Sequence, residues 1–253
     1  MTSADSIPTS PRRVALPGAV DPEQAVDLFD PLGEVSSTAV ALLHGGGWYG
    51  GTRESFHAWA RFFADHGHPS ASLGYRLGEG TTYHDKMRDV AAGLATLTAE
   101  FSDAERLVLM GSSAGAHLVT ALALDTVSAW TEQPVLPLAG VISSNGPGSM
   151  LPEHLLRSQE RITQLGMTQD EVELLLAPVR VDPLQWFFQL AEDETYFPHE
   201  HVQAFMDRLT SAGHRADSRV VPGTKHGYVY RVFDTPAGAA CAAELLDTVE
   251  KAF

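Results

Sequence analysis

One cysteine, Cys241, stands in 253 residues, so no internal disulfide can form. Its surroundings, CAAELLDTV, read as a helix packed on a core rather than a redox centre. Basic charge is also scarce. Against 32 Asp and Glu there are 17 Lys and Arg, a formal net charge of −15, and such a surface repels nucleic acid and anionic membranes. No apolar run reaches the roughly 20 residues that span a bilayer. The opening MTSADSIPTSPRRVALPG sets polar residues and prolines where a secretory signal needs an apolar centre. A cytoplasmic protein with neither nucleic-acid nor membrane partners is expected. The eleven histidines do not fall at ligand spacing with cysteines, so no metal or other cofactor is implied, and His199 and His201 read as the solvated start of a helix. There is no internal repeat.

What is present is an alternation. The runs TAVALLHGG, PSASLGYRL, RLVLMGSSAG, LAGVISSNG, QWFFQLAED and SRVVPGTKHG have the apolar content of buried strands that end in loop residues. Between them Met87, Val90, Ala91, Leu94, Leu97 and Phe101 recur at helical spacing, as do Val202, Phe205, Met206 and Leu209, the latter between a helix-opening Pro198 and a terminating Gly213. This pattern predicts an α/β fold, a mostly parallel sheet covered by helices on both faces. With 44% apolar residues the chain can bury one substantial core. Residues 1–20 read as a flexible tail and 21–253 as a single domain, while RVALPG and QAVDLFDP are short enough for antiparallel edge strands. Residues 146–181 interrupt the alternation with two helical patterns, the second opened by a capping box from Thr168 to Glu171, and so form a helical insertion suited to cap a ligand site.

The chemistry gathers at the predicted strand ends. GSSAG at residues 111–115 joins a strand to a helix, and Gly-x-Ser-x-Gly at such a junction makes a sharp turn that lifts the central Ser113 above the sheet edge. A serine hydroxyl is a weak nucleophile at neutral pH and needs a base that is itself oriented by a third group. His226 follows the last strand and is the expected base. Asp193, after QWFFQL, is the expected acid, with Glu192 and Glu194 flanking it. A tetrahedral intermediate also needs preorganised N–H donors. The glycines of HGGGWYGG and the amide of Ala114 can supply them, and His44 reads as a structural residue of that loop. Trp48, Tyr49 and Tyr228 adjoin this machinery and would favour an apolar or aromatic group of a substrate.

HGGGW, GYRL, GSSAGAHL, AEDETYFP and KHGY, in this order, resemble the hormone-sensitive-lipase-like and BD-FAE-like esterases of the α/β-hydrolase superfamily, a group with kynurenine formamidase relatives. The resemblance spans roughly residues 24–250 and implies the α/β-hydrolase fold. It also implies Ser113 as nucleophile, His226 as base, Asp193 as acid, and Gly45, Gly46 and Ala114 as oxyanion donors. The expected activity is hydrolysis of small to medium carboxylic esters through an acyl-enzyme, with a small-molecule ester or related acyl compound as substrate. Formamide or lactone hydrolysis on the same scaffold is the alternative within chemistry, and a non-catalytic ligand-binding protein the alternative outside it.

Overall fold

The computed structural model describes residues 10–125, 127–146, 166 and 182–252. Eight strands form one sheet: β1 (Arg12–Ala15), β2 (Ala25–Phe29), β3 (Thr38–Leu43), β4 (Ser70–Leu73), β5 (Arg106–Ser112), β6 (Leu138–Ser144), β7 (Gln185–Asp193) and β8 (Arg215–Lys225). Their spatial order is β1-β2-β4-β3-β5-β6-β7-β8. The first two pairings, β1 with β2 and β2 with β4, are antiparallel, and those from β4 onward are parallel. RVALPG and QAVDLFDP thus supply the antiparallel edge the sequence suggested. Residues 12–15, which the sequence assigned to the tail, form β1 and pair with Ala25–Leu28. Most of the predicted insertion, with its Thr168–Glu171 box, lies outside the described residues.

Among the described residues five α-helices cover the sheet: α1 (His57–Asp65), α2 (Tyr83–Glu100), α3 (Ala114–Leu124), α4 (His199–Ser211) and α5 (Pro236–Ala252). Strand alternation divides the core in two. On β3, Ala39, Ala41 and Leu43 meet the α2, α3 and α4 side, while Val40 and Leu42 meet the α1 and α5 side. The central strands are consequently apolar on both faces, which is why TAVALL has no polar alternation. Met87, Val90, Ala91, Leu94 and Leu97 of α2 are fully buried, and a Leu-to-Ala change at such a site costs about 2–5 kcal/mol. The helix is opened by Thr82, whose side chain accepts from the Asp85 amide while Asp85 returns the bond, a capping box that satisfies two orphan donors.

The last strand departs from expectation. β8 begins at Arg215 and is exposed along most of its length, because it is the sheet edge. Pro222, which removes a ladder donor, is tolerated there. The parallel strands all deliver their carboxyl ends to one rim, where β3, β5, β7 and β8 each stop within a residue or two of a candidate functional group.

Candidate active site

Ser113 sits between the last residue of β5 and the first of α3, with φ 53° and ψ −117°. A non-glycine residue in this region carries strain on the order of 1–3 kcal/mol that its surroundings must enforce. They do so by closeness. A Cβ on Gly111 would lie 2.5 Å from the Gly115 carbonyl carbon, and one on Gly115 would lie 2.1 Å from the Leu43 carbonyl oxygen. Only glycine fits at either side of the turn. The Ser113 amide donates to Ser144 O at 3.1 Å, and Ser113 O accepts from the His117 amide at 3.1 Å, so the side chain alone remains to project from the turn.

His226 Nε2 lies 3.0 Å from Ser113 Oγ. Its other nitrogen, Nδ1, lies 2.8 Å from Glu194 Oε2 and 3.0 Å from Oε1. The structure therefore brings Ser113 and His226 together as predicted but replaces Asp193 by Glu194. The reason is register. A bulge falls between Ala191 and Asp193, and Asp193 is still in the sheet, paired with Lys225. Asp193 points to solvent, and the next residue on each strand, Glu194 and His226, is where the two chains face each other. Glu194 has a fully buried side chain. Burial pushes its carboxyl up, but hydrogen bonds from His226 and the Tyr196 amide, with the charge of the imidazole, outweigh that and hold it below the usual carboxylate range. Glu192 is occupied elsewhere, accepting from the Gly223 amide at 2.8 Å.

The glycine turn after β3 bends sharply, with Gly46 at φ 122°, Gly47 at φ 64° and Trp48 at φ 64°. A Cβ on Gly46 would stand 2.0 Å from Gly50 O, so the turn closes on itself. Gly46 borders the cleft above Ser113, and Ala114 opens α3, where first-turn amides lack partners within the helix. Gly45, expected as a third donor, is committed elsewhere, since its amide donates to Tyr230 Oη at 2.7 Å. His44 is structural: its Nδ1–H donates to Gly45 O at 2.7 Å and its ring stacks on Tyr75 at 4.6 Å. Burial pushes its pKa down to about 4, which keeps it neutral.

The cleft measures about 310 Å³. Trp48 lines it, but Tyr49 is 53% exposed and Tyr228 packs against the α1 and α5 side of the core. The aromatic residues that do line it are Tyr196, Phe197 and Tyr230, with the Tyr196 ring 4.7 Å from the His226 ring. In the segment that follows His226, Tyr228 turns inward and Tyr230 toward the cleft, an assignment that composition cannot make. Tyr196 and Phe197 had a signal, lying within the AEDETYFP stretch. His199 is also tied down, its Nε2 within 2.8 Å of Ala191 O, whereas His201 is exposed as expected. Among the described residues no cluster of three or more His, Cys, Asp and Glu could hold a metal, and no helix is long and apolar enough to cross a membrane.

A family model described as alpha/beta hydrolase fold matches residues 40–191. Among solved structures, inhibited esterase B from Lactobacillus rhamnosis superposes with a TM-score of 0.76 at 18% identity, over 98% of this chain and 89% of that one. The apo form of Thermogutta terrifontis esterase 2 gives 0.76 at 18% identity, over 99% and 97%. Its propionate-bound form gives 0.71 at 19%, over 89% of each. Likeness at this identity speaks to the fold. No curated protein matches the sequence.

Proposed function

The chain belongs to the alpha/beta hydrolase fold family, and on that premise we propose that it is a serine hydrolase that cleaves small to medium carboxylic esters through an acyl-enzyme. One observation carries the reading: the His226 imidazole is held between Ser113 Oγ at 3.0 Å and the Glu194 carboxylate at 2.8 Å. A carboxylate at Nδ1 fixes the tautomer that leaves Nε2 as the acceptor. Nε2 then takes the Ser113 proton as Oγ attacks the carbonyl carbon. The tetrahedral oxyanion forms beside the Ala114 and Gly46 amides, donors already fixed in place before charge develops. Nε2–H returns the proton to the leaving alcohol, and water repeats the sequence to free the acid. Glu194 remains ionised throughout and stabilises the transient imidazolium.

The cleft supports the substrate range. About 310 Å³ is at the small end of ligand pockets, and Trp48, Tyr196, Phe197 and Tyr230 offer apolar faces for an acyl or alcohol group. The test is labelling by a fluorophosphonate probe followed by peptide mapping, with turnover of nitrophenyl esters of increasing chain length measured beside N-formylkynurenine and lactones. Label on Ser113 with fastest turnover of short esters is expected. Replacement Ser113→Ala should cost at least about 10⁴-fold in kcat and abolish labelling. Label elsewhere, or activity that survives in Ser113→Ala, overturns the mechanism, and preference for the formamide or lactone moves the substrate class.

A further inference from the structure

Two stretches remote in sequence meet beside Ser113. One is the glycine turn with the helical segment behind it, the other runs from His226 through the 3₁₀ helix Tyr228–Asp234. Three of the contacts that join them bear on the site. Trp59 Nε1–H donates to Val229 O at 2.9 Å, the Phe56 ring meets the Tyr230 ring edge-on at 5.4 Å, and the Gly45 amide donates to Tyr230 Oη at 2.7 Å. The third lies closest to the chemistry. A Cβ on Gly45 would come within 2.9 Å of both Tyr230 Oη and Ser113 Cβ, so the phenol oxygen, the bare Gly45 backbone and the nucleophile share one small volume.

We propose that Tyr230 is a positioning residue for the hydrolysis inferred above, and that its hydroxyl, by holding the peptide before Gly45, sets together with His44 the direction of the Gly46 oxyanion donor. The argument rests on two successive peptide planes. Accepting the Gly45 amide fixes the plane between residues 44 and 45. The His44 Nδ1–H bond to Gly45 O at 2.7 Å fixes the next. Because a trans peptide aims its N–H opposite to its C=O, pinning Gly45 O inward toward His44 turns the Gly46 N–H away from it. Gly46 itself, at φ 122°, has no side chain to resist rotation of these planes, so the external bonds decide their orientation. Tyr230 follows His226 by four residues with Gly227 at φ 81° between, and the same hydroxyl therefore ties the segment bearing the base to the segment bearing the donors. A phenylalanine would fill the same space and leave a buried amide without an acceptor.

The experiment compares Tyr230→Phe with Trp59→Phe in the full chain, reading amide exchange at Gly45 by NMR and steady-state kinetics on a nitrophenyl ester. In Tyr230→Phe, exchange at Gly45 should accelerate by about tenfold or more, and kcat should fall by about tenfold with KM within about twofold, short of the 10²–10³ expected when a donor is lost outright. Trp59→Phe removes a neighbouring tie and spares the phenol. It should lower the melting temperature and leave kcat within about twofold. Unchanged Gly45 exchange in Tyr230→Phe, an unchanged kcat, or equal loss of kcat in the two variants overturns the positioning role. Absence of turnover and of Ser113 labelling in the unmodified protein would instead remove the hydrolase reading on which it rests.

Discussion

Among the described residues two histidines each meet a buried carboxylate at the same distance, and only one of these pairs faces a serine hydroxyl. His226 meets Glu194 at 2.8 Å at the carboxyl rim of the sheet. His57 meets Asp27 at 2.8 Å at the antiparallel edge. Both carboxylates have fully buried side chains. What differs is the remainder of each shell. Asp27 also holds Arg13 at 2.6 and 2.9 Å and an ion pair with Arg53 at 3.2 Å. Burial pushes Asp27 up, yet bonds from His57 and Arg13 and the charge of Arg53 overwhelm it and hold the carboxyl far below the usual range. Glu194 has the imidazole and two backbone amides, from Tyr196 at 2.8 Å and Phe197 at 3.4 Å. With no arginine paired to it among the described residues, its charge is directed to the imidazole, whose far nitrogen looks at Ser113 Oγ. A carboxylate saturated by guanidinium groups locks a fold, whereas one with a single ionisable neighbour can stabilise a cation that appears only during reaction.

Exchanging the charge at each pair should separate the two roles. Glu194→Gln keeps the shape and removes the charge that steadies an imidazolium, so kcat on a nitrophenyl ester should fall on the order of 10³-fold, with the urea midpoint little changed. Asp193→Asn, one residue away and solvent-facing, should stay within about threefold. An equal loss in both would return the acid to Asp193. Asp27→Asn should do the reverse, costing up to about 3–5 kcal/mol by removing the buried charge that Arg13, Arg53 and His57 share, with Arg53 keeping only Glu23 at 3.1 Å and Glu54 at 3.6 Å, while kcat of the folded fraction holds. Sign follows from linkage: the folded pKa of Asp27 is depressed, so its contribution is complete above the unfolded value of about 4 and is lost as pH falls below it. Urea titrations between pH 2 and 5 should show a shallower acid limb in Asp27→Asn.

The same contrast explains what could be read from the chain. Steric demands are local, so GSSAG and HGGGW announced their turns, and apolar runs announced strands buried on both faces. His226 was legible because it directly follows a strand. Glu194 was not, since the choice among three consecutive acids is made by a bulge in β7 and by pairing with β8. Tyr230 was invisible for a similar reason: its bond to Gly45 spans 185 positions. The Asp27 cluster left no pattern either, as its members come from β1, β2, the 3₁₀ helix Arg53–Phe56 and the start of α1. Residue types were legible where one segment determined their place, and illegible where two segments had to meet.

A third histidine sharpens the comparison with the smallest effect. His117, four residues beyond Ser113 on α3, is buried with neither ring nitrogen hydrogen-bonded, and its ring stands edge-on to Trp48 at 5.5 Å. Unlike His226 or His57 it has no carboxylate, and burial alone pushes its pKa down to about 4 from 6.5. Between those values the unfolded chain binds a proton that the folded chain refuses, so stability is full above pH 6.5 and falls as pH drops toward 4, by up to about 1.4 kcal/mol per pH unit. His44 behaves alike, whereas the Asp27 contribution changes only below this window. His117→Leu forfeits no hydrogen bond and deletes one of these titrations. Its stability at pH 7.5 should therefore stay within about 1.5 kcal/mol of the parent, and its slope from pH 6 to 4.5 in urea titrations should be shallower by about 1 kcal/mol per pH unit. An unchanged slope would mean that the ring accepts its proton in the folded state, and the apolar seat assigned to it beside Trp48 would be wrong.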